Sequence, residues 1–258
     1  MSLVLKIDPV DGDGFLNASH AASGVTIYGS GTDSPFADLV GQTVTVTLNA
    51  ESYTGTIGAG GGWSVTVPSL ALAALTDGST YTINASVTDT LGHTTTASGQ
   101  VTVDEHAGLI VDPVDLTGFV NGAQAAAGIT IYGSSSDSVP SSLVGKLVSL
   151  SGTPYTGTVG TDGDWALNVP ATALAALTDG KTYPVAMDVI DAAGNKAVAT
   201  ETYQLDETAG LTIKPVSNTG LINLYETTHG VTIYGTATDA VLGNIVGQTV
   251  TVKLNGQS

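Results

Sequence analysis

Apolar and polar positions alternate in six short segments: ITIYG at 129–133, KLVSLS at 146–151, YTGTVG at 155–160, WALNV at 165–169, YPVAMDVI at 183–190 and KAVATETYQL at 196–205. This is the pattern of strands buried on one face. With LIVDPV at 109–114 the segments number seven, separated by Gly, Pro, Asp and Ser clusters. Seven short strands in about a hundred residues predict an all-β sandwich of the immunoglobulin-like kind. TDGD at 161–164 predicts a hairpin turn between its neighbours. ALAALTDG, at 71–78 and again at 173–180, has helix-forming composition but is too short to stand alone, so it reads as a connection crossing between sheets.

The pattern repeats. GVTIYG at 24–29 returns as GITIYG at 128–133 and GVTIYG at 230–235, so that Tyr28, Tyr132 and Tyr234 are spaced by 104 and then 102 residues. Pro9, Pro113 and Pro215 keep the same intervals, and Trp63/Trp165, Tyr81/Tyr183 and Asp89/Asp191 are each 102 apart. A period of this length is that of a domain rather than of a solenoid unit. The chain therefore divides into module 1 over 1–107, module 2 over 108–209 and the first part of a third module over 210–258, and reads as a fragment of a longer array. Trp63 and Trp165 each open a period-two apolar series and belong to a core. Tyr81 and Tyr183, at the start of the penultimate strand, stand where sandwiches place a tyrosine whose hydroxyl bonds upstream backbone. Ile129 and Ile131 should point inward and Tyr132 to the other face.

Charge narrows the function. Twenty-three acidic residues face six basic ones, all lysine, for a net charge of −17. Such a surface repels nucleic acid and anionic membranes, and the opening MSL carries neither a basic nor a long apolar segment for targeting or membrane insertion. A hydrophobic share of 42% is that of a folding chain. With no cysteine, stability must come from core burial, sheet pairing and metal rather than disulfides.

Laid in register, the modules read GxTIYGxxxDxxxxxxVGxxVxV, YTGTxGxxGxW, LAALTDGxxY, VxDxxG and an acidic exit DExAG. Across essentially the whole chain this resembles the tandem bacterial immunoglobulin-like domains of giant surface adhesins of the biofilm-associated, type I-secreted kind. The resemblance implies an extracellular, cell-surface location and a non-catalytic extender region. Its partners would be the neighbouring modules, with Ca2+ stiffening the junctions, and it names no distal host-surface or matrix ligand. Family linkers commonly end the acidic exit in Thr-Ala-Pro; here DEHAG at 104–108 and DETAG at 206–210 carry glycine instead.

In this topology the exit of one module meets two loops of the next, those after the second and the sixth strands. The first junction thus gathers Asp104, Glu105, Asp137, Asp191 and Asn195. The second gathers Asp206, Glu207 and Asp239. These are oxygen donors only, suited to a hard cation such as calcium; the plainer reading is that each aspartate caps its own turn, which suffices for Asp162, Asp164 and Asp179. Asp112 is a weaker candidate, because its counterparts are Asp8 and Lys214. DGDG at 11–14 lacks the glutamate of a helix–loop–helix calcium site, having Ala22 at the twelfth position. His20, His93, His106 and His229 fall at unlike repeat positions and read as exposed, and no catalytic set recurs. The alternatives are a ligand- or glycan-binding array, which needs grouped exposed aromatics, and an accessory region of a secreted hydrolase. In the third module, strands at 231–235 and 248–254 should be uncovered, and so either disordered toward the end or paired with another chain.

Overall fold

The structure is a computed structural model that describes residues 3–253. It divides into two compact units: one holds residues up to Val111 with Tyr132–Leu167 and Ala186–Ala199, and the other holds Asp112–Ile131, Asn168–Val185 and the residues from Thr200.

In the first repeat the strands are β1 (Val4–Ile7), β2 (Phe15–Leu16), β3 (Val25–Thr32), β4 (Thr43–Leu48), β5 (Glu51–Thr56), β6 (Gly62–Val67), β7 (Thr80–Thr88) and β8 (Thr94–Val103). They form a three-stranded sheet β1-β3-β6 and a five-stranded sheet β2-β8-β7-β4-β5. Side chains alternate as the sequence predicts, with Ile27, Val46, Trp63, Val65 and Ile83 in one buried core. The second repeat contributes β9 (Ala107–Val111), β10 (Phe119–Asn121), β11 (Ile129–Asp137), β12 (Leu147–Leu150), β13 (Thr156–Thr158), β14 (Asp164–Val169), β15 (Thr182–Ile190) and β16 (Lys196–Asp206). Its sheets repeat the same orders, β9-β11-β14 and β10-β16-β15-β12-β13. The class is all-β, in tandem immunoglobulin-like sandwiches.

Each of these repeats has one strand more than the seven predicted. The added strand, β2 or β10, is only two or three residues long and pairs parallel with the last strand. So short an element has no periodicity to read. It leads into a helix, α1 (Ala18–Ser23) or α3 (Gly122–Ala127), also unpredicted. Both helices open on a capping box, Asn17 with His20 and Asn121 with Gln124, which satisfies first-turn N–H groups that so short a helix could not otherwise spare.

ALAALTDG does cross between the sheets, its first residues completing α2 (Ser69–Leu72) and α4 (Ala171–Leu174). TDGD at 161–164 turns the chain, but β13 and β14 lie in different sheets, so it rounds a corner rather than closing a hairpin. The tyrosine corners form: the hydroxyls of Tyr81 and Tyr183 accept from the Thr76 and Thr178 N–H at 2.9 and 2.6 Å. In GITIYG, Ile129 and Ile131 are buried while Tyr132 is exposed, as are Tyr28 and Tyr234. The closing glycine has a packing reason. A Cβ on Gly29 or Gly133 would stand 2.2 or 2.3 Å from the ring of Trp63 or Trp165, so the tryptophan is seated on bare backbone.

The third repeat holds β17 (Ala209–Ile213), α5 (Leu224–His229) and β18 (Gly235–Asp239). Of the strand expected at 231–235 only Gly235 is formed, and 248–253 is not a strand, position 254 lying outside the described residues. In the first repeat the counterpart stretch is held by β6 across Val25↔Val67 to Ser30↔Gly62. Among the described residues β18 has only β17 beside it, and Leu211, Ile213, Tyr234 and Val250 remain exposed.

Candidate metal centre

The parallel pairing of β2 with β8 fixes where the first repeat delivers its acidic exit. Leu16 lies opposite Val103, and the Asp104 N–H donates to the Leu16 carbonyl at 2.8 Å. Asp104 is thereby held with no exposed surface. Asp137 is the last residue of β11, where the strand turns into the loop ending at Ser142. One of its oxygens accepts from the Val139 N–H and the other from the Ser142 hydroxyl, both at 2.7 Å. Asp191 follows β15 and closes a tight loop with Asn195, accepting its N–H at 2.8 Å.

These three carboxylates, drawn from two repeats, converge: one oxygen of each of Asp104, Asp137 and Asp191 lies within 4.8 Å of the others. At that separation each pair of charges repels by about 3 kcal/mol at an effective dielectric of 20. The conflict is visible in Asp104, whose carboxyl is pushed up to about 7. Burial is the largest cause, opposed by the Ser142 hydrogen bond and reinforced by the charges of Asp137 and Asp191. Its Oδ2 is buried without a hydrogen-bond partner. A buried carboxylate oxygen in that condition needs a proton or a cation.

Asn195 binds the group together from one side. Its amide nitrogen donates to the Asp104 carbonyl at 2.7 Å, to Asp191 Oδ2 at 2.8 Å and to Asp104 Oδ1 at 3.4 Å, while its oxygen accepts the Ala18 N–H at 3.1 Å. The cap residue Asn17 adds a bond from its amide to the Ala193 carbonyl at 2.7 Å. Glu105 does not join the three carboxylates; its N–H donates to Asp77 at 2.9 Å. Asp112, the weaker candidate, is exposed.

At the second junction Asp206 and Asp239 come together. The Asp206 carboxyl lies above its ordinary range, chiefly through burial, with Asp239 adding to the effect and a hydrogen bond from Asn244 opposing it. Asp239 accepts the Val241 N–H at 2.7 Å, as Asp137 does that of Val139. Glu207 donates its N–H to Asp179 at 2.8 Å, as Glu105 does to Asp77.

Sequence reasoning gave Asp179 a turn-capping role alone and passed over Asp77, Ser142, Asn17 and Asn244. Asp77 and Asp179 carried a signal, since LTDG recurs in register with the acidic exits. Of the four histidines read as exposed, His93, His106 and His229 are, and His20 alone differs. His20 is half-buried as the partner of the Asn17 cap, and His93, at the position of Asn195, bonds Asp89 at 2.9 Å.

The donor set is oxygen-only, partly buried and one partner short, which fits a hard cation of the calcium class. No protein-family model matches the chain, and no curated protein sequence does. Among solved structures it is similar to a Ca2+-stabilised adhesin with which an Antarctic bacterium binds ice, at 28% identity and TM-score 0.44, over 91% of this chain and 57% of that one. It is also similar to a 1.5-MDa bacterial ice-binding adhesin, at 26% identity and TM-score 0.45, over 92% and 76%. A bacterial immunoglobulin-like domain from the M. primoryensis ice-binding adhesin aligns at 35% identity and TM-score 0.31, over 39% of this chain and 96% of that domain. The chain thus spans little more than half the length of the first of these.

Proposed function

We propose that this chain is part of the non-catalytic extender region of a bacterial surface adhesin, in which immunoglobulin-like modules are fastened to one another by calcium at their junctions. The observation that carries this reading is the partnerless, buried Asp104 oxygen among three carboxylates contributed by two successive repeats. Asp104, Asp137 and Asp191 would hold the ion, with carbonyls and water completing the six to eight oxygens calcium takes. The cation supplies the positive charge that turns mutual repulsion into a tie between the exit of one repeat and two loops of the next. The chain's own residues do the rest. Asn195 and Ser142 aim the carboxylates, and the Asn17 cap braces the loop that carries Asp191. Extracellular calcium sites bind at roughly 0.1–1 mM, and occupancy at a hundred times Kd would stabilise the junction by about 2.7 kcal/mol.

The location follows from the same reading: outside the cell or on its surface. Among the described residues no helix is long and apolar enough to cross a membrane. A glycan-binding array receives less support, because the exposed tyrosines of the TIYG segments, Tyr28, Tyr132 and Tyr234, fall one to a repeat, and the further exposed Tyr225 stacks on His229.

The test is a calcium titration of EDTA-treated protein, followed by thermal unfolding and small-angle scattering, with the double variant Asp104→Ala/Asp191→Ala beside it. A higher melting temperature and a stiffer particle, both absent from the variant, are expected. An equal response in the variant, or none in the native chain, would remove calcium from the mechanism.

A further inference from the structure

Beside the acidic cluster, each junction contains a contact made by other residues. Asp77, in the first LTDG turn, accepts the N–H of Glu105 at 2.9 Å on Oδ1 and pairs with the His106 ring at 2.9 Å through Oδ2. Ser138 of the following repeat helps hold the same carboxyl below its ordinary range. Gly78 completes the contact. Its N–H donates to the Val103 carbonyl at 2.9 Å, and a Cβ there would stand 2.9 Å from the Ser138 carbonyl, at a φ of +78° that already favours glycine. The turn therefore grips the exit of its own repeat and receives the first loop of the next.

The second junction repeats the arrangement with different side chains. Asp179 accepts the Glu207 N–H at 2.8 Å and the Thr208 hydroxyl at 2.6 Å. The Gly180 N–H donates to the Leu205 carbonyl at 2.8 Å, and its open face meets Ala240. His106 is replaced by Thr208 and Ser138 by Ala240, yet the backbone bonds from Glu105 and Glu207 are kept. Both carboxylates lie below their ordinary range. For Asp77 burial works upward but is outweighed by Glu105, Ser138 and His106; for Asp179 the Thr208 and Glu207 bonds dominate. Turn capping alone would use the bond from Gly78 to Asp77 at 3.0 Å and leave the second oxygen free.

We propose that the LTDG turn is a second, metal-independent contact of each junction. In it Asp77 and Asp179 position the acidic exit, and Gly78 and Gly180 seat the following repeat. The inference rests on the tandem-module reading above but not on the presence of calcium. It explains why LTDG is copied without change in the two repeats: the tetrapeptide serves the junction as well as the sheet crossing.

The experiment is amide hydrogen exchange on the intact chain in EDTA, comparing the native protein with Asp77→Ala, Asp77→Asn and Asp162→Ala. Among the described residues Asp162 accepts within its own turn, from Asp164 at 3.2 Å. The Glu105 amide should be protected in the native chain without metal and should exchange about ten- to hundredfold faster in D77A. D77N retains an acceptor oxygen and should preserve most of the protection, whereas D162A should leave it untouched. A calcium titration of the same variants should show D77A weakened about tenfold, the loss usual for a partner that orients a ligand segment. Equal Glu105 exchange in native protein and D77A would overturn the proposal. Absence of calcium binding in the native chain would instead strike the metal reading and leave the exchange result standing. Asp179→Ala with the Glu207 amide gives the same test at the other junction, so a first-repeat variant that fails to fold does not end it.

Discussion

The two junctions share the acidic exit and the aspartate of the first loop, and end in different electrostatic states. At the first, three carboxylates meet around Asp104, Asn195 crosses behind them and Ser142 is buried beside them. At the second, Asp206 and Asp239 are only partly buried, and exposed Asn244 takes the place of Ser142. The missing contribution is that of the loop carrying Asp191 and Asn195, which has no counterpart among the described residues of the third repeat. A junction is thus a three-segment object made of the exit, the first loop and the last loop of the following repeat. Two segments bring carboxylates together; the third buries them and leaves an oxygen that needs a proton or a cation.

The largest expected contrast is in pH dependence. In calcium-free protein Asp104 titrates near 7 instead of 3.8, so between those values the folded state keeps a proton that the unfolded state has lost. Its stabilising contribution is complete below pH 3.8 and disappears as pH rises through about 7, with an upper bound of about 4 kcal/mol over that window. The comparison of native protein with Asp104→Asn isolates this from the histidines. Their stability difference should shrink as pH rises in EDTA, and calcium should reverse the slope by favouring the ionised carboxylate. Asp206→Asn should show the same sign with a smaller amplitude, since its site is more open. A flat difference curve for Asp104→Asn would mean that its carboxyl is not in conflict with its neighbours.

A second contrast lies within the last loops of the first two repeats. Asn195→Ala removes a buried donor from both Asp104 and Asp191 and should destabilise the calcium-free chain by about 2–3 kcal/mol in denaturant melts. The equivalent change in the first repeat, His93→Ala, removes a side chain that is 70% exposed, so water can take its place at Asp89 and the cost should be less than about 1 kcal/mol. If the two variants lose equally, the Asn195 bonds matter for the loop alone and not for the junction.

How far the sequence led follows from the same distinction. Period-two alternation made the sandwich readable, because Val65, Ile83 and Ile131 are buried for a reason local to their strands. The register of the repeats made Asp104, Asp137 and Asp191 readable as neighbours. It could not show that Asn195 would face them with its nitrogen, since that orientation follows from Ala18 taking the oxygen. Asp77 and Asp179 were hidden by their own plausibility: Asp before Gly is ordinary turn chemistry, and only the fold brings Glu105 and Glu207 within reach. The same holds for Gly29 and Gly133, whose lack of a side chain is explained by a tryptophan more than thirty residues away. The strand expected at 231–234 failed for a related reason, as its alternation was correct but its partner strand is absent from the described residues.

The smallest effect separates the two junctions most finely. Asn244 donates to Asp206 from an exposed position, opposing the burial and the Asp239 charge that raise that carboxyl. Asn244→Ser places there the residue that in the first junction donates to Asp137 at 2.7 Å, so its single O–H should turn to Asp239 and the Asp206 carboxyl should move further upward, readable by carboxyl NMR. Overall stability should fall by less than about 1 kcal/mol, because water replaces the lost donor. In the first junction no water reaches the corresponding Asp104 oxygen, which is fully buried, and that difference in solvent access decides whether a lost hydrogen bond there is minor or severe. A loss from Asn244→Ser as large as that from Asn195→Ala would show that the second junction is already closed with two segments, and that the last loop is not what turns paired carboxylates into a cation site.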